Sequence, residues 1–110
     1  MRSIAVKGLA HITGGGLLEN VPRILPARLA ARIERAAWNL PHLFQWLKQE
    51  GGIADAELYR VFNCGIGMVA VVGAAEAGAA LNALRAAGES AWRIGRVVRR
   101  EKNGPQVVLI

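Results

Sequence analysis

Hydrophobic and polar positions along the chain change their period several times, and each change marks an element. Residues 7–12 predict a short strand. Residues 66–72 are a continuous apolar run between glycines, which is typical of a strand buried on both faces. Residues 92–100 and 106–110 predict two final strands. The Asn-Gly pair between them is a hairpin signal, although Pro105 argues against an ideal two-residue turn.

The helical spacing of apolar residues is found elsewhere. Four stretches predict helices: 17–25, 40–51, 53–60 and 74–87. In the first, Pro22 falls within about the first turn, where its missing N–H costs least, and Pro26 ends the helix. Asp55 is a reasonable N-cap for the third helix. Residues 29–35 alternate weakly and also match helical spacing, so periodicity leaves that segment open between strand and helix.

Strands and helices therefore follow one another without strict βαβ alternation. This order predicts an α/β (α+β) fold with a mixed sheet and flanking helices. The length of 110 residues suits one domain, residues 1–110, and is too short for two ordinary ones. Only 5% of the residues are aromatic, so each large ring should matter to packing. The large rings include Trp38, Phe44, Trp46, Phe62 and Trp92.

The chain is strongly basic, with a formal net charge of +6 and an isoelectric point near 10.8. Its arginines are spread over both halves with few aromatics between them, so a solvated basic face is favoured over a nucleic-acid site. The excess of positive charge would also be explained if the chain belongs to a larger protein whose other part is acidic. No apolar run approaches a membrane span, and the lone Cys64 cannot form an intrachain disulfide. These features predict a cytoplasmic protein that does not span a membrane.

The most informative stretch is the run Gly14, Gly15 and Gly16 between an apolar segment and a predicted helix. Consecutive glycines suit a tight backbone turn, or a backbone that approaches a ligand closely. The run is not a Walker loop, since no Gly-Lys-Ser/Thr follows, and it lacks GxGxxG spacing. An anion cradle and a plain turn therefore remain open as interpretations of the run itself.

The other polar candidates are few. His11 and His42 are the only imidazoles, and one cysteine does not complete a zinc site with them. Cys64 has no evident base beside it, so a small buried residue is favoured over a nucleophile. Asn63, at the start of the apolar run, could hold a turn or contact a ligand. The sequence predicts no catalytic residue and no metal ligand on this chain.

Several ordered segments together resemble a known family. They are residues 11–26 (HITGGGLLENVPRILP), Trp38 with Pro41, residues 44–47 (FQWL), 59–63 (YRVFN), 65–68 (GIGM) and 91–95 (AWRIG). This pattern strongly resembles the C-terminal domain of aminoimidazole ribonucleotide synthetase, and it covers nearly the whole chain from about residue 6. The resemblance implies an α/β domain that is partly ferredoxin-like.

The resemblance also implies a function. Members close formylglycinamidine ribonucleotide to aminoimidazole ribonucleotide in purine biosynthesis, with ATP and Mg²⁺ as cofactors of the full-length enzyme. An N-terminal domain, absent here, carries most of the nucleotide site and forms the homodimer. The chain alone is then expected to bind no cofactor and to be inactive. The residues expected to contact the phosphorylated ribonucleotide substrate are His11, Thr13, Gly14, Gly15, Gly16, Asn20 and Asn63.

Two alternatives accompany this prediction. The same two-domain plan occurs in formylglycinamide ribonucleotide amidotransferase, selenophosphate synthetase and thiamine monophosphate kinase. The glycine segment with its Glu-Asn-x-Pro-Arg continuation favours the ring-closing enzyme, the cyclo-ligase, over these three. The other alternative is a basic module that binds nucleic acid or another polyanion, supported by the net charge and the arginines near the C-terminus.

Overall fold

In the part of the chain that the structure describes, two small sheets and four helices form a mixed α/β arrangement, as the order of the predicted elements indicates. A computed structural model describes residues 4–110. The strands are β1 (Val6–His11), β2 (Leu29–Ile33), β3 (Met68–Val72), β4 (Gly95–Arg99) and β5 (Val107–Leu109). The helices are α1 (Gly16–Asn20), α2 (His42–Gly51), α3 (Asp55–Val61) and α4 (Ala77–Ala86). Short 3₁₀ turns are formed by Pro22–Ile24, Arg35–Ala37 and Ala74–Glu76.

The strands form two sheets instead of one. Sheet A pairs β1 with β3 in antiparallel orientation, with His11 opposite Met68. Sheet B has the order β4-β2-β5, in which β2 runs antiparallel to β4 and parallel to β5. The predicted hairpin of the last two strands is therefore wrong, since β2 lies between them. The open segment 29–35 becomes a strand because its backbone bonds to partners on both sides, which periodicity alone does not reveal.

The core lies between the sheets and the helices α1 and α3. Leu17 and Leu58 are completely buried, and each stabilises the fold by about 2–3 kcal/mol through removal of apolar surface from water. Trp38 is 5% exposed and meets Tyr59 edge to face at 6.2 Å between ring centroids. Trp46 and Trp92 lie largely exposed, so only part of the aromatic set acts in packing.

Two helix predictions need correction. The helix predicted over 17–25 is divided into α1 and a 3₁₀ turn that starts at Pro22, because a proline beyond the first turn cannot supply the N–H that helix continuation requires. Ala54 is the N-cap of α3, and Asp55 makes no capping hydrogen bond. The Asp55 carboxylate instead accepts hydrogen bonds from Lys48 Nζ and from the Arg35 guanidinium at 2.8 Å.

This carboxylate predicts a pH dependence of stability. The hydrogen bond from Lys48, with the charges of Lys48 and Arg35, lowers the pKa of Asp55 below its ordinary value. Its contribution is therefore present above that ordinary value and is lost as the pH falls through the lowered pKa. The side chain is 40% exposed, so we expect Asp55→Asn to cost at most about 1 kcal/mol at pH 7. Urea denaturation should show this difference shrinking toward pH 3. Glu50→Gln, on an exposed residue, is the control, and a difference that persists at pH 3 would contradict the ion-pair explanation.

Candidate binding site at the glycine turn

The glycine run forms a tight turn between β1 and α1. The N–H of Gly16 donates to the Thr13 carbonyl at 2.9 Å, and both Gly15 and Gly16 have positive φ, +96° and +59°. A Cβ on Gly16 would lie 2.2 Å from the Tyr59 carbonyl oxygen. Gly16 must therefore be glycine so that the turn can pack on α3. Gly14 has no such constraint, since nothing lies within 4 Å of the place its Cβ would take.

The buried side chain of Asn20 stabilises this turn by hydrogen bonds to its backbone. The side chain is 3% exposed, and Nδ2 donates to the carbonyl of Gly16 at 2.8 Å and, at longer range, to those of Gly14 and Thr13. Its Oδ1 accepts from the Thr13 hydroxyl at 3.3 Å. The amide is thus committed to the backbone of the turn, so Asn20 positions the turn instead of facing solvent.

A second turn lies directly beside the first. Asn63 Oδ1 accepts from the N–H of Gly65 at 2.9 Å, and Cys64 between them has a positive φ of 54°. The N–H of Ile12 donates to the Gly67 carbonyl at 2.9 Å, which links the end of β1 to this second turn. The fold therefore brings together residues about fifty positions apart, which the sequence pattern does not place.

The predicted site residues divide by depth. Three are exposed at the surface, Gly15 and Asn63 are half-buried, and Gly16 and Asn20 are buried beneath them. The exposed ones are His11, Thr13 and Gly14. A ligand at this surface could contact the exposed set directly, whereas the buried pair can act only by shaping the turn.

Two cationic side chains beside the turn were absent from the sequence prediction. Arg23 NH1 lies 3.3 Å from Asn20 Oδ1, and Arg60 NH1 lies 3.7 Å from the Glu19 carboxylate. Both guanidinium groups are exposed, but that of Arg60 already donates two hydrogen bonds to the Glu57 carboxylate, so Arg23 is the better placed of the two to pair with a phosphate. Arg23 follows Asn20 by three positions, a spacing that places two side chains on one side of a helical turn and could have indicated it. Arg60 comes from α3, and only the tertiary structure brings it to the turn.

Cys64 is a packing residue. It is completely buried, and burial raises the pKa of its thiol to about 11, so the reactive thiolate is scarce at neutral pH. The Trp38 indole N–H donates to the Cys64 carbonyl at 3.1 Å and supports its unusual backbone conformation. The interpretation of Cys64 as a small buried residue is confirmed.

The amino-acid sequence of this chain matches a known family. Residues 1–108 match the family described as "AIR synthase related protein, C-terminal domain". The chain belongs to this family. Relatives named phosphoribosylformylglycinamidine cyclo-ligase come from Burkholderia multivorans, Burkholderia pseudomallei and Burkholderia mallei. Each is 56% identical to this chain over 110 residues, which is 100% of the chain and 31% of the relative. The chain thus spans about a third of the length of the curated relatives it matches.

Membership of the AIR synthase family confirms the resemblance and the mixed α/β fold class. Within residues 4–110, no three side chains of the His, Cys, Asp or Glu type come together as a metal site would require. No helix in this part of the chain is long and apolar enough to cross a membrane.

The arginines of sheet B lie apart from the glycine turn. A cleft of about 270 Å³ is lined by Arg32, Arg93 and Arg96 with Glu34, and another of about 560 Å³ by Arg28, Arg99 and Lys102 among others. Neither cleft is lined by a residue of the turns described above. The basic surface and the glycine turn are therefore separate features of the fold.

Proposed function

We propose that this chain is the C-terminal domain of an ATP-dependent cyclo-ligase that converts formylglycinamidine ribonucleotide to aminoimidazole ribonucleotide. Residues 1–110 would act as one domain and would contribute a wall of the substrate site. The support is the family membership together with the names that the relatives carry. In this proposal the protein works in the cytoplasm, as a homodimer built by the portion that the chain does not span.

The observation that carries the role of the turn is its construction. Asn20 fixes the backbone from below, while Thr13 and Gly14 remain exposed above it. With Arg23 at its side, such a surface can hold an anionic group without a protein nucleophile. Asn63 would approach the same ligand from the neighbouring turn, and His11 from the end of β1.

The reaction needs positioning more than covalent chemistry from the protein. In the cyclo-ligase reaction, bound ATP supplies activation of the formyl oxygen, and ring closure then releases ADP and phosphate. The turn would hold the ribonucleotide phosphate, which fixes where the formyl and amidine groups lie. The groups that bind ATP and Mg²⁺ would come from the rest of the enzyme. Because this chain would hold only part of the active site, the isolated chain should not convert the substrate.

The test joins this chain to the upstream two-thirds of the Burkholderia multivorans relative. We expect the fusion to release ADP and form the imidazole product when given ATP and substrate, and the isolated chain to do neither. Gly14→Asp in the fusion should raise KM for the ribonucleotide at least about tenfold, since it sets a carboxylate against a phosphate. Gly73→Asp is the matched control, because Gly73 also has open space at its Cβ position but follows the end of β3 that lies away from the turn.

Two results with the fusion would contradict the proposal. One is a folded fusion that forms no imidazole product while the intact relative does so under the same conditions. The other is an unchanged KM for Gly14→Asp, which would leave the enzyme assignment standing and remove the turn from the substrate site. Ring closure by the isolated chain would overturn the claim that the site is shared. Binding of duplex DNA by the isolated chain at about 150 mM salt would instead favour the basic module.

A further inference from the structure

One face of sheet A exposes apolar side chains to solvent. Leu9 and Met68 are each 57% exposed, and Ala70 and His11 share this face with them because residues two apart along a strand point the same way. Leu9 lies opposite Ala70, and His11 lies opposite Met68. We call these four residues the outer face. The apolar run 66–72 predicted a strand buried on both sides, and for β3 that prediction is wrong in this chain.

The inner face of the same sheet is well packed. Ala10 is 4% exposed, and Val69 packs against the core. Sheet A has only two strands, and within residues 4–110 neither of them pairs with a third. Two strands alone are marginally stable in water unless further apolar surface supports them. The outer face therefore exposes two large apolar side chains, Leu9 and Met68, beside Ala70, although His11 and the exposed Lys7 at its edges are polar.

The total surface supports the same conclusion. The chain exposes 7251 Å². A free-standing monomer of 11.8 kDa exposes about 5,900 Å², so this fold carries an excess of about 1,300 Å². One side of a standard protein interface buries about 800 Å². The excess exceeds the area of one such interface, but it belongs to the whole chain, on which Trp46 and Trp92 are also exposed, so it shows that there is room for a contact and does not locate it.

We propose that the outer face packs against an apolar surface of the polypeptide that precedes this chain in the longer cyclo-ligase. This inference rests on the proposed function. The chain spans 31% of its relatives, whose family description places it in a C-terminal domain, so a preceding portion of ample size exists in them. A second copy of this chain is the less suitable partner, because each copy carries a net charge of +6 and the two would repel.

The position of the outer face gives this contact a consequence for the binding site. His11 ends β1, and the glycine turn begins two residues later. A polypeptide layer on Leu9 and Met68 would reach the edge of the turn at His11. The same contact that covers the apolar surface would then supply the second wall of the substrate site.

The experiment compares chemical accessibility in the isolated chain and in the fusion described above. Leu9→Cys introduces an outer-face thiol, while Leu84→Cys places one on α4, where Leu84 is 43% exposed. The natural Cys64 is fully buried and gives little background. Maleimide labelling is read at each cysteine by mass spectrometry of the peptides. Oxidation of Met68 by dilute peroxide gives a second readout that needs no substitution.

We expect labelling at position 9 and oxidation at Met68 to slow at least about tenfold in the fusion, with position 84 unchanged. Equal rates at position 9 in both proteins would overturn the proposal, provided that the fusion unfolds in one cooperative transition. If Leu9→Cys does not fold, Met68 oxidation in the unsubstituted fusion decides alone. Protection that already appears in the isolated chain and grows with its concentration would assign the face to a second copy.

Activity and protection separate the two proposals. A fusion that forms the imidazole product, but whose cysteine at position 9 is labelled as fast as in the isolated chain, would uphold the proposed function and refute the contact. Protection of the outer face without ring closure would uphold the contact and count against the proposed function.

Discussion

Gly16→Ala is expected to lower the free energy of unfolding by about 3 kcal/mol. Two effects add at this position. The φ of +59° is strained for any residue with a Cβ, and that Cβ would overlap the Tyr59 and Phe62 carbonyl oxygens at 2.2 and 2.5 Å. Both oxygens belong to backbone at the end of α3, so they cannot rotate away as a flexible side chain would. Urea denaturation followed by tryptophan fluorescence measures the loss.

Gly14→Ala is the control, because it adds the same methyl group two residues earlier in open space. We expect its stability to stay within about 1 kcal/mol of the parent, on either side. Equal losses at positions 14 and 16 would show that general flexibility of the run matters, and not the approach of Gly16 to α3.

Asn20→Ala is the second substitution with a large expected effect, a loss of about 2–3 kcal/mol. It removes the donor to the Gly16 carbonyl and the acceptor of the Thr13 hydroxyl from a buried position. The freed carbonyls then lie beneath the turn without their partner. Thermal unfolding and urea denaturation of the isolated chain measure the change, with Asn39→Ala, at an exposed asparagine, as the control.

Asn20→Asp distinguishes hydrogen bonding from packing. The new side chain has nearly the same shape but loses the Nδ2 donor and directs a carboxylate at carbonyl oxygens. Its pKa in the fold should rise above the unfolded value, so the variant should regain stability as the pH falls and the carboxyl group takes up a proton. A loss that is the same at pH 7 and pH 4 would show that the amide hydrogen bonds contribute little.

Particular elements show how far the sequence pattern reaches. The boundaries of β1, α2 and α4 follow their apolar spacing closely, because each element is defined by residues near one another in the chain. The place of β2 could not be predicted. Its neighbours β4 and β5 lie more than sixty residues further along the chain. The Asn-Gly pair between β4 and β5 favours a hairpin of these two strands when only local interactions are considered. The partly ferredoxin-like arrangement and the single-domain boundary remain predictions.

For the candidate site, too, some features could be predicted from the sequence and others depend on the tertiary structure. The glycine run and Asn20 were evident as residue types, yet their separate roles were not. Gly16 is required by the backbone of α3, whereas Gly14 is free, and no local pattern distinguishes them. Arg60 reaches the turn from a helix some forty positions away. Whether the predicted residues contact substrate stays a prediction for the fusion experiment to test.

The sequence by itself determined the family, the mixed α/β class and the glycine turn as the place of interest, because these depend on residue identity and short-range spacing. The tertiary structure decided the order of strands in sheet B, the ion pairs of Asp55 and the buried role of Asn20. It also decided that the outer face of sheet A is exposed. These features depend on contacts between distant residues, and the energy of such contacts is set by packing and burial that no local period records.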